Sequence, residues 1–327
     1  LVIFALFVIY SFPYFFLNKI PFPSSYIANN IAPWNKYLFG GPVKNGIPDV
    51  PGEIFPMRSL VIDFWQKGIV PLWNPYVFSG TPLAANFQAA AFFPLNFLFF
   101  MLPKIDAWSL LVLLQPIFAA VFMFGFCREL KLSKEASLFS GLAFMFCGYL
   151  TVWGSYTTTG YSILILPLVL FLIERYYNER NIAVLSFIPI VLAFSFFSGH
   201  IQSWLYVFLS AFFYTLGKLC GDFKNSKKAF LLVLVALTIV IPLVAIQLLP
   251  TLEFYQFTGR SLLKNNPGQV GIPPLYLITL LAPDFFGNPV TRNDWFGTYA
   301  EWSGYVGLIT VVLALLGTLR LTIAKKF

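Results

Sequence analysis

Two carboxylates and an arginine stand close together in the segment NGIPDVPGEIFPMR, at positions 45–58. Asp49 could act as a general base that takes the proton of an acceptor hydroxyl, because such a base must be a titratable group within hydrogen-bond distance of that proton. Glu53 follows four residues later and would share a helical face with Asp49, as a second acid, if a helix reaches that far back. The alternatives are a turn residue for Asp49 and a helix-start acid for Glu53. Arg58 is assigned to substrate binding.

Four later residues suit contact with a phosphate or transfer of a proton. His200 is the single histidine and could do either near neutral pH, the alternative being an interfacial histidine satisfied by the backbone. Gln202, in the same SGHIQSW segment, is assigned to substrate binding. Arg260 could bind a lipid phosphate through its two-pronged guanidinium, and Glu253 could orient it or act as another acid. The alternative is a surface ion pair worth about 0–1 kcal/mol.

Several aromatic and amide side chains could line a sugar site, since ring faces and amides suit sugar rings and hydroxyls. Interfacial belts of Trp and Tyr explain the aromatic residues equally well without a ligand. Asp284 and Glu301 stand at the edges of polar segments and are also assigned to substrate binding. The aromatic and amide candidates are Trp73, Asn74, Trp302 and Tyr305.

The sequence motifs of several other reaction classes are absent. The sequence has no GxxxxGK[ST] phosphate loop, no GxGxxG after a strand, no HExxH zinc motif and no GxSxG hydrolase elbow. Its three cysteines show neither a disulfide framework nor metal-ligand spacing. No cofactor and no metal ligand set is therefore assigned, and a divalent cation held by the acids stays an open alternative. Basic residues are dispersed between apolar runs, so the net charge of +8 does not indicate a nucleic-acid partner.

The composition is that of an integral membrane protein. Hydrophobic residues make up 58% and charged residues 10% of the 327 positions, with a mean hydropathy of +0.78. Soluble domains carry about 25% charged residues. We expect a single membrane domain over 1–327, part of a longer chain because it starts at Leu1 rather than Met. The first apolar run lacks a basic n-region and a cleavage site, so it predicts a retained span.

Eight apolar runs approach the length of about 20 residues that a transmembrane helix needs. A ninth run, 89–102, is interrupted by Pro94 and predicts a re-entrant or interfacial helix. The predicted class is therefore all-α, a polytopic bundle of about eight spans. These spans are 1–17, 108–127, 136–153, 161–173, 182–197, 201–216, 230–249 and 304–319.

Lysine and arginine predict the orientation. They are dense in one set of short loops and sparse in the opposite set, so the dense side should be cytoplasmic. Two long segments, 18–104 and 250–302, then form the first and second large extracytoplasmic loops, and the first should contain short helices. Long loops with internal order are usually functional. The dense set holds Arg128, Lys131, Lys134, Arg175, Arg180, Lys218, Lys224, Lys227, Lys228, Arg320, Lys325 and Lys326.

The chain resembles the YfhO-like bacterial membrane proteins, which belong with the GT-C glycosyltransferases. The resemblance rests on KIPFP…APW at 19–34, on NGIPDVPGEIFPMR, and on GIVPLWNPYVFSGTPLAAN at 68–86. It continues through SGHIQSW at 198–204, LLPTLEFYQFTGRS at 248–261, LLAPDFFGNP at 280–289 and EWSGYVGL at 301–308. No piece is a catalytic signature alone; the order and coverage of the pieces carry the resemblance.

The resemblance implies a GT-C fold whose first outer loop bears an essential acid, and Asp49 falls where that acid is expected. It further implies transfer of a sugar from a polyprenyl-phosphate carrier to a cell-envelope acceptor, at the extracytoplasmic face of a bacterial cell membrane. The sequence departs from the family in the KIPFPSS stretch, where Ser24 and Ser25 stand in place of an expected Asp. If that acid were the base, this chain would lack the activity.

Two other classes of function stay open. A glycolipid or solute transporter, or flippase, would place ionisable residues near the bilayer midplane on broken helices in corresponding halves. The sequence shows few charges within spans and no clear halves, which disfavours it. A non-catalytic membrane scaffold would scatter the candidate residues, whereas an enzyme must bring them to one substrate.

Overall fold

The computed structural model describes residues 2–37, 48–258, 271–291 and 293–324. These residues are mostly helical, which confirms the predicted all-α class. A π-helix lies at Val50–Ile54, and 3-10 helices lie at Phe87–Ala89, Pro94–Phe97, Gly154–Tyr156 and Pro274–Leu280. The α-helices are α1 Val2–Leu17, α2 Ser24–Asn30, α3 Trp34–Tyr37, α4 Phe55–Gln66, α5 Leu98–Met101, α6 Lys104–Glu129, α7 Lys134–Met145, α8 Gly148–Trp153, α9 Thr159–Leu164, α10 Leu166–Glu179, α11 Ile182–Leu185, α12 Phe187–Phe197, α13 Ile201–Gly221, α14 Phe223–Thr238, α15 Val240–Gln256 and α16 Leu308–Ala324.

Several of these helices could cross a membrane. Among the described residues four segments are long and apolar enough, and a fifth qualifies if a bent pair counts as one span. These five coincide with five of the eight predicted spans. The other three coincide with shorter apolar helices, so the structure supports a multi-pass protein while the count of eight stays a prediction. The long segments are Lys104–Glu129, Thr159–Glu179, Ile201–Gly221 and Phe223–Gln256; the shorter ones are Val2–Leu17, Ile182–Phe197 and Leu308–Arg320.

The bent pair joins α7 to α8 at an angle of 42°. Cys147 adopts an extended conformation between the helices, and the Gly148 N–H donates to the carbonyl of Tyr305 at 2.6 Å. A Cβ on Gly148 would lie 2.6 Å from the Ser303 Oγ. The predicted span 136–153 is therefore broken where the 303–305 segment packs closely against it.

The two ends of the bundle differ in composition. At one, the basic end, Lys218 pairs with Glu174 at 2.6 Å and Asn178 bonds the Glu129 carboxylate at 2.9 Å, so the ends of α6, α10 and α13 meet. At the opposite end, the loop end, the first long loop packs on the bundle. Thr251 Oγ1 of α15 donates there to the carbonyl of Ala85 at 2.7 Å. The two ends correspond to the two sets of loops that differ in their density of Lys and Arg in the sequence.

The described residues of the first long loop, 18–37 and 48–104, form a partly helical layer. Val50 and Ile54 are fully buried in the same apolar cluster as Trp108 of α6 and Tyr161 of α9, so this layer shares one core with the bundle. A two-stranded antiparallel hairpin follows α4, with β1 at Trp73–Asn74 paired to β2 at Thr81–Pro82.

Two predicted boundaries need correction. The run 89–102 is not one helix but a succession of two short 3-10 turns and α5, because Pro94 begins a new turn and Ala90 adopts a left-handed conformation with φ of 46°. The second long loop does not begin at Pro250. Helix α15 continues through this proline to Gln256, so the described part of that loop starts later than predicted.

Candidate functional site

Arg58 fixes the acid-bearing helix α4 to the bundle. Its side chain is fully buried, and Nη1 donates to Thr157 Oγ1 at 3.1 Å. Nη2 makes a longer bond, 3.5 Å, to the carbonyl of Ser198, and the guanidinium lies 5.6 Å from the ring centres of both Phe93 and Trp108. Burial lowers the pKa of Arg58 to about 9, so it remains charged at neutral pH. In this arrangement the side chain does not reach the solvent-facing cavities.

Asp49 is the residue from which the π-helix begins. It has helical backbone angles and precedes Pro51, whose missing N–H is tolerated in a first turn. Its side chain is partly buried on the side of Tyr156, close enough for the two groups to interact electrostatically. Burial raises the pKa of the Asp49 carboxyl. Within the described ranges this carboxylate has no ion-pair partner.

Glu53 lines a cavity formed by the first loop, and Asp49 is not among the residues that line it. One face of the π-helix and α4, together with the β1–β2 hairpin, encloses a cavity of about 710 Å³, which we call the loop cavity. Glu53 and Asp63 line it from the helix, and Asn74 and Phe78 line it from the hairpin. Asp49 caps the π-helix on which Glu53 lies, and a shared face for the two acids stays a prediction. The sequence candidates that share the loop cavity are Glu53 and Asn74.

Sequence reasoning gave no role to several residues of the loop cavity. Asp63 pairs with Lys104 at 2.6 Å, and that ammonium also contacts the Ser59 carbonyl at 3.3 Å. Asn86 accepts the Gln88 N–H at 3.0 Å and holds the next turn in place. The signal that could have found Ser59 and Asp63 is helical spacing, because positions three or four apart from 53 to 63 share one face.

An apolar groove adjoins the loop cavity. This side groove, of about 410 Å³, lies between the back of the hairpin and the end of α15. Phe254 and Pro82 line both spaces, so the loop cavity and the side groove are neighbours across these two residues. Glu253 is the only charged residue lining the side groove within the part of the chain that the structure describes.

His200 caps helix α13. Its Nδ1 accepts the Ser203 N–H at 3.2 Å and lies 2.8 Å from the Ser203 hydroxyl, which in turn contacts the Tyr149 hydroxyl at 2.8 Å. Burial lowers the pKa of His200 to about 4, so the imidazole is neutral at pH 7. His200 therefore has the geometry of the alternative given above, an interfacial histidine whose ring nitrogen is hydrogen-bonded by the backbone. Gln202 is exposed and donates to the Tyr206 hydroxyl at 2.7 Å.

The remaining candidates lie apart from the loop cavity. Trp73 is half-exposed, and its ring covers Gly80 of the same hairpin. Asp284 accepts a hydrogen bond from Tyr299 at 3.0 Å and shares a cavity of about 340 Å³ with Tyr305. Trp302 packs edge-on against Tyr276, and Glu301 is exposed. Arg260 lies outside the described residues.

The described ranges contain no group of three His, Cys, Asp or Glu side chains arranged to hold a metal ion. Of the first-loop acids, Glu53 and Asp63 line the loop cavity together. Comparison of the chain with protein-family models, with curated proteins and with solved structures gave no match.

Proposed function

We propose that this protein is a membrane glycosyltransferase of GT-C type, which moves a sugar from a polyprenyl-phosphate carrier to an acceptor at the loop end of the bundle. The observation that carries the proposal is the loop cavity, because two carboxylates and a buried amide there adjoin an apolar groove at the end of a candidate span. An enzyme that acts on lipid-linked substrates needs a polar reaction space reached from the bilayer.

The reaction needs a base for the acceptor. A hydroxyl oxygen attacks the anomeric carbon, the bond from that carbon to the carrier phosphate breaks, and the phosphate leaves with the bonding electrons. We assign Asp49 to removal of the hydroxyl proton. Its raised pKa favours this role, because a base works best when its pKa approaches the working pH. Glu53 is the competing candidate, since its carboxylate lines the loop cavity.

Substitution of the two acids tests the assignment. The purified protein in lipid nanodiscs would be supplied with radiolabelled polyprenyl-phosphate hexoses and a membrane extract as acceptor source. We expect Asp49→Asn to lower turnover by about 10²–10⁴-fold, the usual contribution of a general base, with an unchanged melting temperature. Glu53→Gln should bind acceptor more weakly and keep a larger share of its maximal rate.

The matched control is Glu179→Gln at the basic end, where Glu179 forms an exposed pair with Arg175 at 3.0 Å. It should leave turnover unchanged, because such helix pairs contribute about 0.3–0.5 kcal/mol. Full activity of Asp49→Asn together with loss in Glu53→Gln would move the base to Glu53. If the wild-type protein consumed none of the carrier-linked sugars, the transferase proposal itself would be wrong.

A further inference from the structure

The charges of the loop cavity select against an anionic ligand. Glu53 and Asp63 are the charged residues that line it within the described ranges, and neither Lys nor Arg joins them there. Lys104, which pairs with Asp63 at 2.6 Å, is already occupied by that carboxylate. A phosphate in this space would meet uncompensated negative charge, which is unfavourable in a partly enclosed cavity.

The polar groups of the cavity suit hydroxyls. Asn74 is only 5% exposed, and its Oδ1 is held by the Tyr76 N–H at 2.9 Å. Its Nδ2 makes no hydrogen bond to any described residue, so a fixed donor faces the cavity beside two carboxylate acceptors. The Ser59 Oγ is likewise buried without a partner there. Buried polar groups are normally paired, so the unpaired Ser59 hydroxyl indicates a polar ligand, for which the accessible Asn74 Nδ2 is a further donor.

The hairpin tip supplies aromatic surface at the mouth of the cavity. Tyr76 and Phe78 are 80% and 92% exposed, although both line it. Phe78 and Ser79 have φ of 50° and 62°, a left-handed conformation that is costly for a bulky residue. The negative face of an aromatic ring attracts the C–H groups of a sugar.

The side groove continues from this polar space toward the apolar surface of α15. It runs along the end of the candidate span Phe223–Gln256, and Ile246, Pro250 and Phe257 form its outer wall. Ile246 and Phe257 are 60% and 79% exposed. An apolar chain lying in the groove would cover this surface and stay in contact with lipid.

We propose that the loop cavity and the side groove together bind the acceptor, and that this acceptor is a glycolipid with a neutral sugar head and an apolar tail. The head occupies the loop cavity and contacts Glu53, Asp63 and Asn74, and the tail passes Phe254 into the side groove. The inference rests on the proposed function where it names the ligand an acceptor. The donor phosphate then meets the acceptor at the edge of the loop cavity rather than beside Glu53 and Asp63.

Photo-crosslinking without any donor tests the inference. The protein in nanodiscs would be exposed to octyl glucoside bearing a diazirine at the end of its tail, or to octyl phosphate and octylamine with the same tail. We expect the glucoside probe to label α15 between Ile246 and Phe257, and unmodified octyl glucoside to compete. The phosphate and amine probes should label this stretch at least about fivefold less, which corresponds to about 1 kcal/mol in binding.

Variants identify the contacts. Asn74→Asp keeps the oxygen that accepts the Tyr76 N–H but removes the free donor, so labelling by the glucoside probe should fall about tenfold while the hairpin is preserved. The double change Glu53→Gln with Asp63→Asn should raise labelling by the phosphate probe, because it removes two negative charges and frees Lys104. Phe213→Ala, a 61% exposed phenylalanine on α13, is the matched control and should change nothing.

The outcomes separate this inference from the proposed function. Equal labelling by glucoside and phosphate probes, stronger labelling by the amine, or labelling indifferent to Asn74→Asp would overturn the glycolipid site even if the protein transfers sugar. Selective labelling in a protein that consumes no carrier-linked sugar would leave the glycolipid site standing and remove the transferase.

Discussion

Arg58 is a fully buried cation on α4, the helix that follows the π-helix and carries Asp63. No carboxylate among the described residues pairs with it, and its Nε has no partner. Its charge is instead balanced by the Thr157 hydroxyl, the Ser198 carbonyl and the faces of two aromatic rings. Cation–ring contacts are worth about 2 kcal/mol when desolvated. Arg58 therefore acts by positioning α4 rather than by touching a ligand.

At His200 the structure leads to a prediction about pH. Its pKa is about 4 when folded and about 6.5 in an unfolded chain, so the folded state binds fewer protons between these values. Stability contributed by the neutral ring is complete above pH 6.5 and is lost as pH falls toward 4. Protonation would also remove the acceptor for the Ser203 N–H. We expect the melting temperature of the wild-type protein in detergent to fall between pH 7 and pH 5.

The control is His200→Asn, which can still cap α13 but does not titrate. Its melting temperature should change less over the same interval. An equal drop in both proteins would show that other groups control the acid sensitivity. Catalysis by a protonated His200 would instead require activity to rise as the pH falls, which the lowered pKa argues against.

At the scale of elements, the turn between α12 and α13 touches the first loop. Gly199 has φ of +109°, and a Cβ there would lie 2.5 Å from the Phe87 carbonyl oxygen and 3.0 Å from Thr158. The backbone of a loop 3-10 turn therefore rests directly on the bundle. No side chain larger than hydrogen can be accommodated without moving one of these segments.

We expect Gly199→Ala to lower stability by about 1–3 kcal/mol, because it combines an unfavourable φ with a backbone clash. Gly217 of α13 is the matched control, since a Cβ there has no atom within 4 Å. Gly217→Ala should be neutral or raise stability by up to about 1 kcal/mol, since Ala favours helix. Melting curves of the two variants in the same detergent provide the measurement. A Gly199→Ala protein as stable as Gly217→Ala would contradict the close packing of loop on bundle.

At the scale of the whole molecule, the two ends of the bundle should face opposite sides of a membrane. Cys220 is exposed near the basic end, whereas Cys127 and Cys147 are buried. Ser79 is exposed at the hairpin tip of the loop end. The buried Cys127 and Cys147 should therefore add little background when Cys220, or a cysteine placed at 79, is labelled with an impermeant maleimide.

We expect Cys220 to react only after cells are permeabilised, because the positive-inside rule assigns the basic end to the cytoplasm. In a Cys220→Ser background, Ser79→Cys should react in intact cells. Labelling of both positions from the same side would contradict the alternation of the helices. Reaction of Cys220 in intact cells, with Ser79→Cys protected, would reverse the orientation.

Much of the architecture could be predicted from the sequence, because the hydropathy of a segment depends only on its own residues. A run of about 20 apolar residues forms a helix in lipid whatever its neighbours are. The positions of the long helices followed from this rule. The short elements of the first loop were expected from the spacing of its Pro and Gly residues. Glu53 and Asn74 were chosen by residue type, and both line the loop cavity.

The tertiary structure decided which candidates share a space. Arg58 bonds residues 99 and 140 positions away, and no local pattern encodes such partners. The placement of Glu53 in a cavity shared with the hairpin depends on how the π-helix and α4 pack against that segment. Side-chain direction and burial arise from packing between distant segments, whereas spans arise from the affinity of each segment for lipid. For that reason the sequence alone determined where the helices lie. Only the tertiary structure determined which residues form the site.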